Sequence, residues 1–387
     1  MHVAARAPEA SSDLAAAVGA VLDRRLLGDS PRPLAVALSG GGDSLALALA
    51  AAGWARAAGR KLLILTVDHG LRPESIAWTE ACAATAERLG ANFQALRWIG
   101  EKPATGLPAA ARAARHALLA EAARAAGARV ILMGHTASDL AEAARMRAAG
   151  STTPDPREWA PSPAWPQGRG VFLLRPMLGL VRTQIRAWLA ARGETWIDDP
   201  ANDDLRYARP RARHADASAC PEPNPDPPNA TALARACLAD EAGRLAMTRA
   251  DLRAASPTVL ARFAAVACLC AAGTSRPPGG DRTARLAARL AGGERFAATL
   301  AGARIEADAQ AVRFSREPGE AARGGLAPLR LKAGETGVWD GRFEVTAARD
   351  LEVRAVGRST LPDVEDARPL AYERLLAACG VIVREPA

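Results

Sequence analysis

Short apolar runs alternate with alanine- and leucine-rich stretches of helical period through the first half of the chain. Ser12 to Leu27 carries Leu14, Val18, Val21 and Leu22 on one side, which predicts an amphipathic helix ended by Pro31 and Pro33. Ala35, Val36 and Leu38 read as a buried strand, and the run from Ser44 has the length and composition of a helix. Leu62 to Val67, LLILTV, is unbroken, as a strand covered on both faces requires. Thr79–Leu89 and Ala109–Ala126 follow as helices, Phe93–Trp98, Arg129–Met133 and Val171–Leu174 as strands, and Arg182–Arg192 as a further helix. Strands alternating with helices predict an α/β fold with a doubly wound parallel sheet, whose ligands sit at the carboxyl ends of the strands.

Periodicity lapses twice. Ala149 to Gly170 is rich in proline, glycine and tryptophan and predicts a long loop; Arg157, Trp159, Trp165 and Arg169 suit either stacking on RNA or packing over the sheet. Cys220 to Asn229, CPEPNPDPPN, has neither apolar period nor strand propensity and reads as a linker. The expected organisation is an amino-terminal domain over 1–215, a linker over 216–230 and a smaller region over 231–387. In that region Ala232–Ala255, Val259–Ala272 and Asp281–Leu290 read as helices. Strands are expected from Phe296 onward, at Ala303–Ala307, Ala311–Ser315, Val338–Trp339 and Phe343–Thr346, giving a helical and then α+β part.

Chemistry enters where the first strand stops. Leu34 to Ser44 reads LAVALSGGGDS: Gly40, Gly41 and Gly42 allow a sharp turn, and the following helix N-terminus points unpaired N–H groups and a positive dipole end at one spot. Phosphate is the natural occupant. Asp43 stands where a Walker A loop has lysine, and the third glycine of a dinucleotide fingerprint is missing. A carboxylate among phosphates makes sense with a divalent cation between them, so Asp43 is a candidate Mg²⁺ ligand. The plain alternative is a glycine turn in which Asp43 and Ser44 cap the helix.

SGGGDS resembles the SGGxDS signature of the PP-loop ATP pyrophosphatases, which cleave ATP to AMP and pyrophosphate through an adenylate. Four further segments resemble tRNA(Ile)-lysidine synthetases within that superfamily. Val67-Asp68-His69-Gly70-Leu71-Arg72 matches a stretch that holds adenine and ribose there; by itself it is also a plain turn. Arg112 and Arg115, in ARAARH, share a helix face and match arginines near the phosphates and the reacting carbonyl, with His116 in place of the usual aromatic; a solvated face is the alternative. Gly134-His135-Thr136-Ala137-Ser138-Asp139-Leu140-Ala141-Glu142 resembles GHTxDDxxET. Ser138 and Ala143 depart from it, so His135, Asp139 and Glu142 are carried over.

Asp139 and Glu142 are three apart at a helix start, so both carboxylates face one side; they could hold a lysine ammonium, take its proton or share a magnesium ion. Thr195 to Arg213 matches the family's DxSN…RF.RN..R stretch at Asp199, Asn202, Asp204, Arg206, Tyr207, Arg209 and Arg213, with Pro210 where Asn is usual. Arg206, Arg209, Arg211 and Arg213 around Tyr207, with Arg175 after the Val171–Leu174 strand, are the candidate tRNA contacts; a salt-bridged structural segment is the alternative.

Composition changes this picture little. The 387 residues suffice for two cores, and the formal charge of +8 with a pI near 9.7 suits a polyanionic partner without establishing one. The six cysteines are scattered with no CxxC pair, which argues against a zinc ribbon, a thiol redox motif or a chain-supplied iron–sulfur cage. No apolar run reaches membrane-spanning length and the first residues lack a signal peptide's apolar core, so a soluble cytoplasmic protein with no membrane partner is expected.

The resemblance implies that ATP adenylates the C2 carbonyl oxygen of the wobble cytidine in tRNA(Ile) with a CAU anticodon, and that free L-lysine displaces AMP to give lysidine. Ser39, Gly40, Gly41, Gly42, Asp43, Ser44, Val67, Asp68, His69, Gly134 and His135 would then bind ATP, with Asp43, Arg112, Arg115, Asp139 and Glu142 catalytic and Asp139 and Glu142 holding lysine. The alternatives are a PP-loop tRNA sulfurtransferase, a small-molecule PP-loop synthetase for NAD, GMP or asparagine, and a non-catalytic RNA-binding module on a residual ATP fold. A homodimer stays open.

Overall fold

The apolar runs of the first half become the strands of a single sheet in the computed structural model of the chain, which describes residues 10–150, 156–198, 211, 229–319, 326–355 and 367–386. Two compact units are present, residues 1–225 with 383–387, and residues 226–382.

In the first unit the elements run α1 (Ala10–Arg25), β1 (Leu34–Ala37), α2 (Gly42–Ala57), β2 (Leu62–Asp68), α3 (Ser75–Arg88), β3 (Asn92–Arg97), α4 (Leu107–Ala125), β4 (Val130–Leu132), α5 (Ala137–Ala148), β5 (Trp159–Pro161), β6 (Phe172–Leu174) and α6 (Arg182–Ala190). The sheet order is β3-β2-β1-β4-β6-β5, parallel throughout except for β5, which pairs antiparallel to β6. Alternate residues explain the unbroken apolar runs. Leu34, Val36, Leu62, Ile64, Val130 and Leu132 join the core beneath α1, α2 and α6, whereas Ala35, Leu63, Leu65 and Ile131 join the one beneath α4. The chain direction across the sheet reverses between β1 and β4, and that switch point opens a crevice at the carboxyl strand ends.

The expected loop at 149–170 supplies a strand. Trp159 stacks on Phe172 at 4.9 Å and packs against the core, Glu158 pairs with Arg24 and Arg25, and Arg169 is buried with its guanidinium on Pro166 O. Trp159 and Arg169 therefore cover the sheet, the second of the two readings left open for this segment. The chain's end also belongs to this unit: Glu385 makes a bidentate pair with Arg60 at 2.7 and 2.9 Å, both side chains fully buried.

Among its described residues the second unit holds a five-stranded antiparallel sheet and two smaller sheets of three and two strands. Strands at 296–300, 303–307, 311–316, 336–339 and 343–346 and helices at 257–272 and 280–291 agree with expectation. The helix expected over Ala232–Ala255 does not form as one element. Helix Thr231–Ala236 stops, strands Leu238–Ala239 and Leu245–Thr248 pair as a hairpin, and a second helix runs Arg249–Ala254. Gly243, at φ 69°, and the Asp240 carboxylate that accepts from the Arg244 N–H make the turn, local chemistry that overrides the alanine-rich composition.

Candidate functional site

The phosphate loop is built by backbone rather than by side chains. Gly40 turns with φ 82°, and a Cβ there would meet Ile197 Cδ1 at 2.5 Å. Gly41 precedes α2 with extended backbone and no side-chain cap, which leaves the first-turn amides of Gly42, Asp43 and Ser44 open to an anion. The Ser44 hydroxyl shapes the loop: it donates to Gly41 O at 2.9 Å, accepts from the Ser39 N–H at 3.2 Å, and lies 3.1 Å from the Ser39 hydroxyl.

The end of β4 is pressed against this loop. A Cβ on Gly134 would lie 3.1 Å from Ser44 N and Cα, so glycine is what lets the two strand ends approach. Their approach brings α5 alongside. Thr136 caps α5, and Asp139 Oδ2 accepts from both its N–H (2.8 Å) and its hydroxyl (2.9 Å). Asp139 thus fixes its own helix start and turns Oδ1 outward.

Around these elements lies a cavity of about 740 Å³, lined by Ser39, Gly41, Gly42, Asp43 and Ser44, by Val67, Asp68 and His69, by Arg115, and by Gly134, His135 and Asp139. Its size suits a nucleotide. The expected ATP-binding residues converge here with one exception: Gly40 forms the turn beneath the loop. Asp68 Oδ1 accepts from the Gly70 N–H at 2.7 Å, so this residue both makes the turn and faces the cavity. Glu142 is buried and does not join Asp139 in that lining.

Arg112 stands back from the cavity lining, close enough for its charge to act on His116 and Arg175. Arg175 is buried rather than displayed to an RNA: its guanidinium donates to His135 Nδ1 at 3.3 Å and to Arg157 O at 2.8 Å, so it orients His135. Burial and the neighbouring Arg112 and Arg115 bring its pKa down to about 10. Arg211 is exposed, while Asp199, Asn202, Asp204, Arg206, Tyr207, Arg209, Arg213 and the linker through residue 228 lie outside the described residues.

Sequence reasoning missed Arg182. It is the first residue of α6, and its guanidinium reaches three carboxylates: Nε to Asp43 Oδ2 at 3.0 Å, one terminal nitrogen to Glu142 Oε1 at 3.3 Å and the other to Asp139 Oδ1 at 3.8 Å. Burial would lower its pKa, but Asp43, Glu142 and Asp139 outweigh burial and hold it above the usual arginine value. Burial pushes the Asp43 carboxyl up, against the opposing pull of Arg182. One signal was available: a cation at a helix's first position opposes the macrodipole and needs nearby anions. Trp196 and Ile197 were missed as well. They strap the loop, Ile197 N–H donating to Gly40 O at 3.0 Å and the Trp196 ring lying 3.3 Å from where a Gly42 Cβ would be.

Open amides at a sheet switch point, with an aspartate in their midst, define a nucleotide-binding protein of the PP-loop class, and the PP-loop domain family matches residues 12–217. The chain is 55% identical over 356 residues to the tRNA(Ile)-lysidine synthase of Caulobacter vibrioides, covering 91% of this chain and 84% of that protein. It is 37% identical over 333 residues to the tRNA(Ile)-lysidine synthase of Hyphomonas neptunium, covering 80% and 88%. The chain belongs to the tRNA(Ile)-lysidine synthase family. A solved U34-tRNA thiolase of Methanococcus maripaludis aligns with TM-score 0.43 and 14% identity over 52% of this chain and 72% of that one, a likeness that transfers no function.

Proposed function

We propose that the chain is a cytoplasmic enzyme that uses ATP to adenylate the C2 carbonyl oxygen of the wobble cytidine of tRNA(Ile) with a CAU anticodon. Free L-lysine then attacks C2 through its ε-amine, releasing AMP and leaving lysidine. The observation that carries this reading is the meeting, in one cavity, of uncapped amides that fit a polyphosphate with the Asp139 carboxylate, which fits an ammonium.

The amides of Gly42, Asp43 and Ser44 bind the β- and γ-phosphates and take up the charge of departing pyrophosphate. Arg115, on the cavity wall, and Arg112 behind it neutralise charge at the α-phosphate. Asp43 suits Mg²⁺: it is a hard oxygen donor facing the cavity, and this ion is usually held by one or two carboxylates plus substrate phosphates. Bound there, the ion would screen the carboxylate from the phosphates.

Asp139 and Glu142 receive the lysine ammonium and take up its proton. At neutral pH only about one free ε-amine in a thousand is uncharged, so an acceptor beside it matters. Arg206, Tyr207, Arg209, Arg211 and Arg213 hold the tRNA; their segment, Thr195 to Arg213, includes the Trp196–Ile197 strap, so the RNA segment is continuous in sequence with the cover of the phosphate loop.

Incubation with ATP, radiolabelled lysine and unmodified tRNA(Ile) transcript tests the reading. Label is expected on a single cytidine, with one pyrophosphate released per lysine joined. Pyrophosphate release with no lysine attached, or tight tRNA binding with neither, would refute it. Substituting Arg209 and Arg213 is expected to flatten the salt dependence of tRNA binding by about 0.7 in log–log slope for each phosphate that is no longer neutralised.

A further inference from the structure

We propose that Arg182 is a positioning residue that keeps the lysine subsite closed until nucleotide is bound. Its guanidinium is the resident cation of the pocket formed by Asp43, Asp139 and Glu142, and it leaves when ATP arrives. The inference rests on the reading of Asp139 and Glu142 as the lysine carboxylates.

Each guanidinium nitrogen faces a different carboxylate, at 3.0 Å from Asp43, 3.3 Å from Glu142 and 3.8 Å from Asp139. The backbone holds it there. The Ala137 N–H donates to Leu180 O at 2.9 Å and the Arg182 N–H donates to the Ser138 hydroxyl at 3.4 Å, so the starts of α5 and α6 are tied and Arg182 emerges beside Asp139 and Glu142. A lysine ammonium entering the empty enzyme meets carboxylates already neutralised and a like charge in its place.

Nucleotide changes that balance from the side of Asp43. Asp43 belongs both to the amide loop and to the Arg182 cluster. Phosphates seated on the amides offer a guanidinium a bidentate partner at least as good as carboxylate, and a cation arriving with them competes for Asp43. Drawn toward the phosphates, Arg182 would leave Asp139 and Glu142 to the substrate amine. The side chain is 20% exposed, at the cavity wall, so this is a rotamer change into open space rather than extraction from a core. Lysine would thus bind second, after the nucleotide whose adenylate it must attack.

Equilibrium dialysis of radiolabelled lysine against the full chain, with and without α,β-methylene-ATP and magnesium, tests this. Wild type is expected to bind lysine at least about tenfold more weakly without nucleotide than with it; Arg182→Gln should erase that difference by strengthening nucleotide-free binding. Arg186→Gln removes an equal charge from the cavity wall; Arg186 pairs with Asp198 and acts on Asp43 only as the weakest of its charged neighbours, so the variant should leave the difference in place. No gain in Arg182→Gln, or an equal gain in Arg186→Gln, overturns the proposal. If Arg182→Gln fails to fold, Arg182→Lys takes over: its compact ammonium reaches fewer carboxylates at once, a smaller gain of about threefold is expected, and no gain overturns the proposal. Glu142→Gln separates the two readings. Loss of nucleotide-dependent lysine binding there, with no gain in Arg182→Gln, removes only the present proposal; undiminished lysine binding removes the subsite itself.

Discussion

Two arginines, one in each unit, show how differently this chain uses the same side chain. Arg249 is fully buried, and its guanidinium donates to Arg289 O (2.6 Å), Leu290 O (3.3 Å), Glu294 O (2.6 Å) and Asp308 O (2.9 Å). Arg289 and Leu290 lie in the last turn of helix Gly280–Ala291, whose final carbonyls have no helical partner, so Arg249 closes that helix end and ties it to the loop before strand Ala311–Arg316. Arg182 is held by carboxylates instead, on the wall of an open cavity. Carbonyls bonded to a guanidinium inside a core have nothing else to bind; carboxylates facing a cavity can exchange it for another cation. A multiply bonded guanidinium marks stability in one case and function in the other, and the partner's alternatives decide which.

Mutations can break that distinction if it is wrong. The largest effect belongs to Asp43. Asp43→Asn keeps the shape and removes the charge, and ATP–pyrophosphate exchange in the presence of tRNA is expected to fall about a thousandfold, roughly 4 kcal/mol of transition-state stabilisation. Its melting temperature should hold or rise, since burial already opposes the ionised form. Exchange within tenfold of wild type would take Asp43 out of the chemistry. Arg249→Met should do the converse. It strands several buried carbonyls and is expected to lower the unfolding free energy of the second unit by about 3 kcal/mol in urea, with exchange nearly unchanged below the transition. An unchanged urea midpoint would mean that those carbonyls find other partners.

The sequence carried the first of these residues openly and hid the second. Asp43 stands in a run of glycines whose spacing is itself the geometry, because backbone N–H groups need no tertiary partner to form a phosphate site. The order of strands and helices was equally readable in the first unit, since a parallel sheet covered on both faces demands unbroken apolar strands. Apart from the helix-start position of Arg182, nothing local marked Arg182 or Arg249: both are arginines in an arginine-rich chain, and their partners lie 40 or more positions away in sequence. Trp196 and Ile197 were hidden for the same reason. The expected helix over 232–255 failed at Gly243, where one left-handed glycine outweighed a long stretch of helical composition.

The smallest effect sharpens the comparison from the opposite direction, with a buried polar group that bonds neither a carbonyl nor a carboxylate. His116 is 3% exposed in α4, and neither ring nitrogen has a hydrogen-bond partner. Burial first, and then the charges of Arg115, Arg112 and Arg175 with His135, push its pKa down to about 2. The imidazole is therefore neutral in the folded protein, while the unfolded chain protonates near pH 6.5. Between those two values the unfolded state binds the extra proton, so stability is complete above pH 6.5 and is lost as pH falls, by about 1.4 kcal/mol per unit or roughly 2 kcal/mol at pH 5. His116→Phe removes the titration and the two orphaned nitrogens together. Urea unfolding at pH 7 and at pH 5 should show the variant losing about 2 kcal/mol less than wild type over that interval. Equal losses would mean that His116 takes a proton inside the fold, which the arginines around it could tolerate only with an anion between them; the cluster would then be another exchangeable site like that of Arg182, rather than a cationic wall kept free of competing protons.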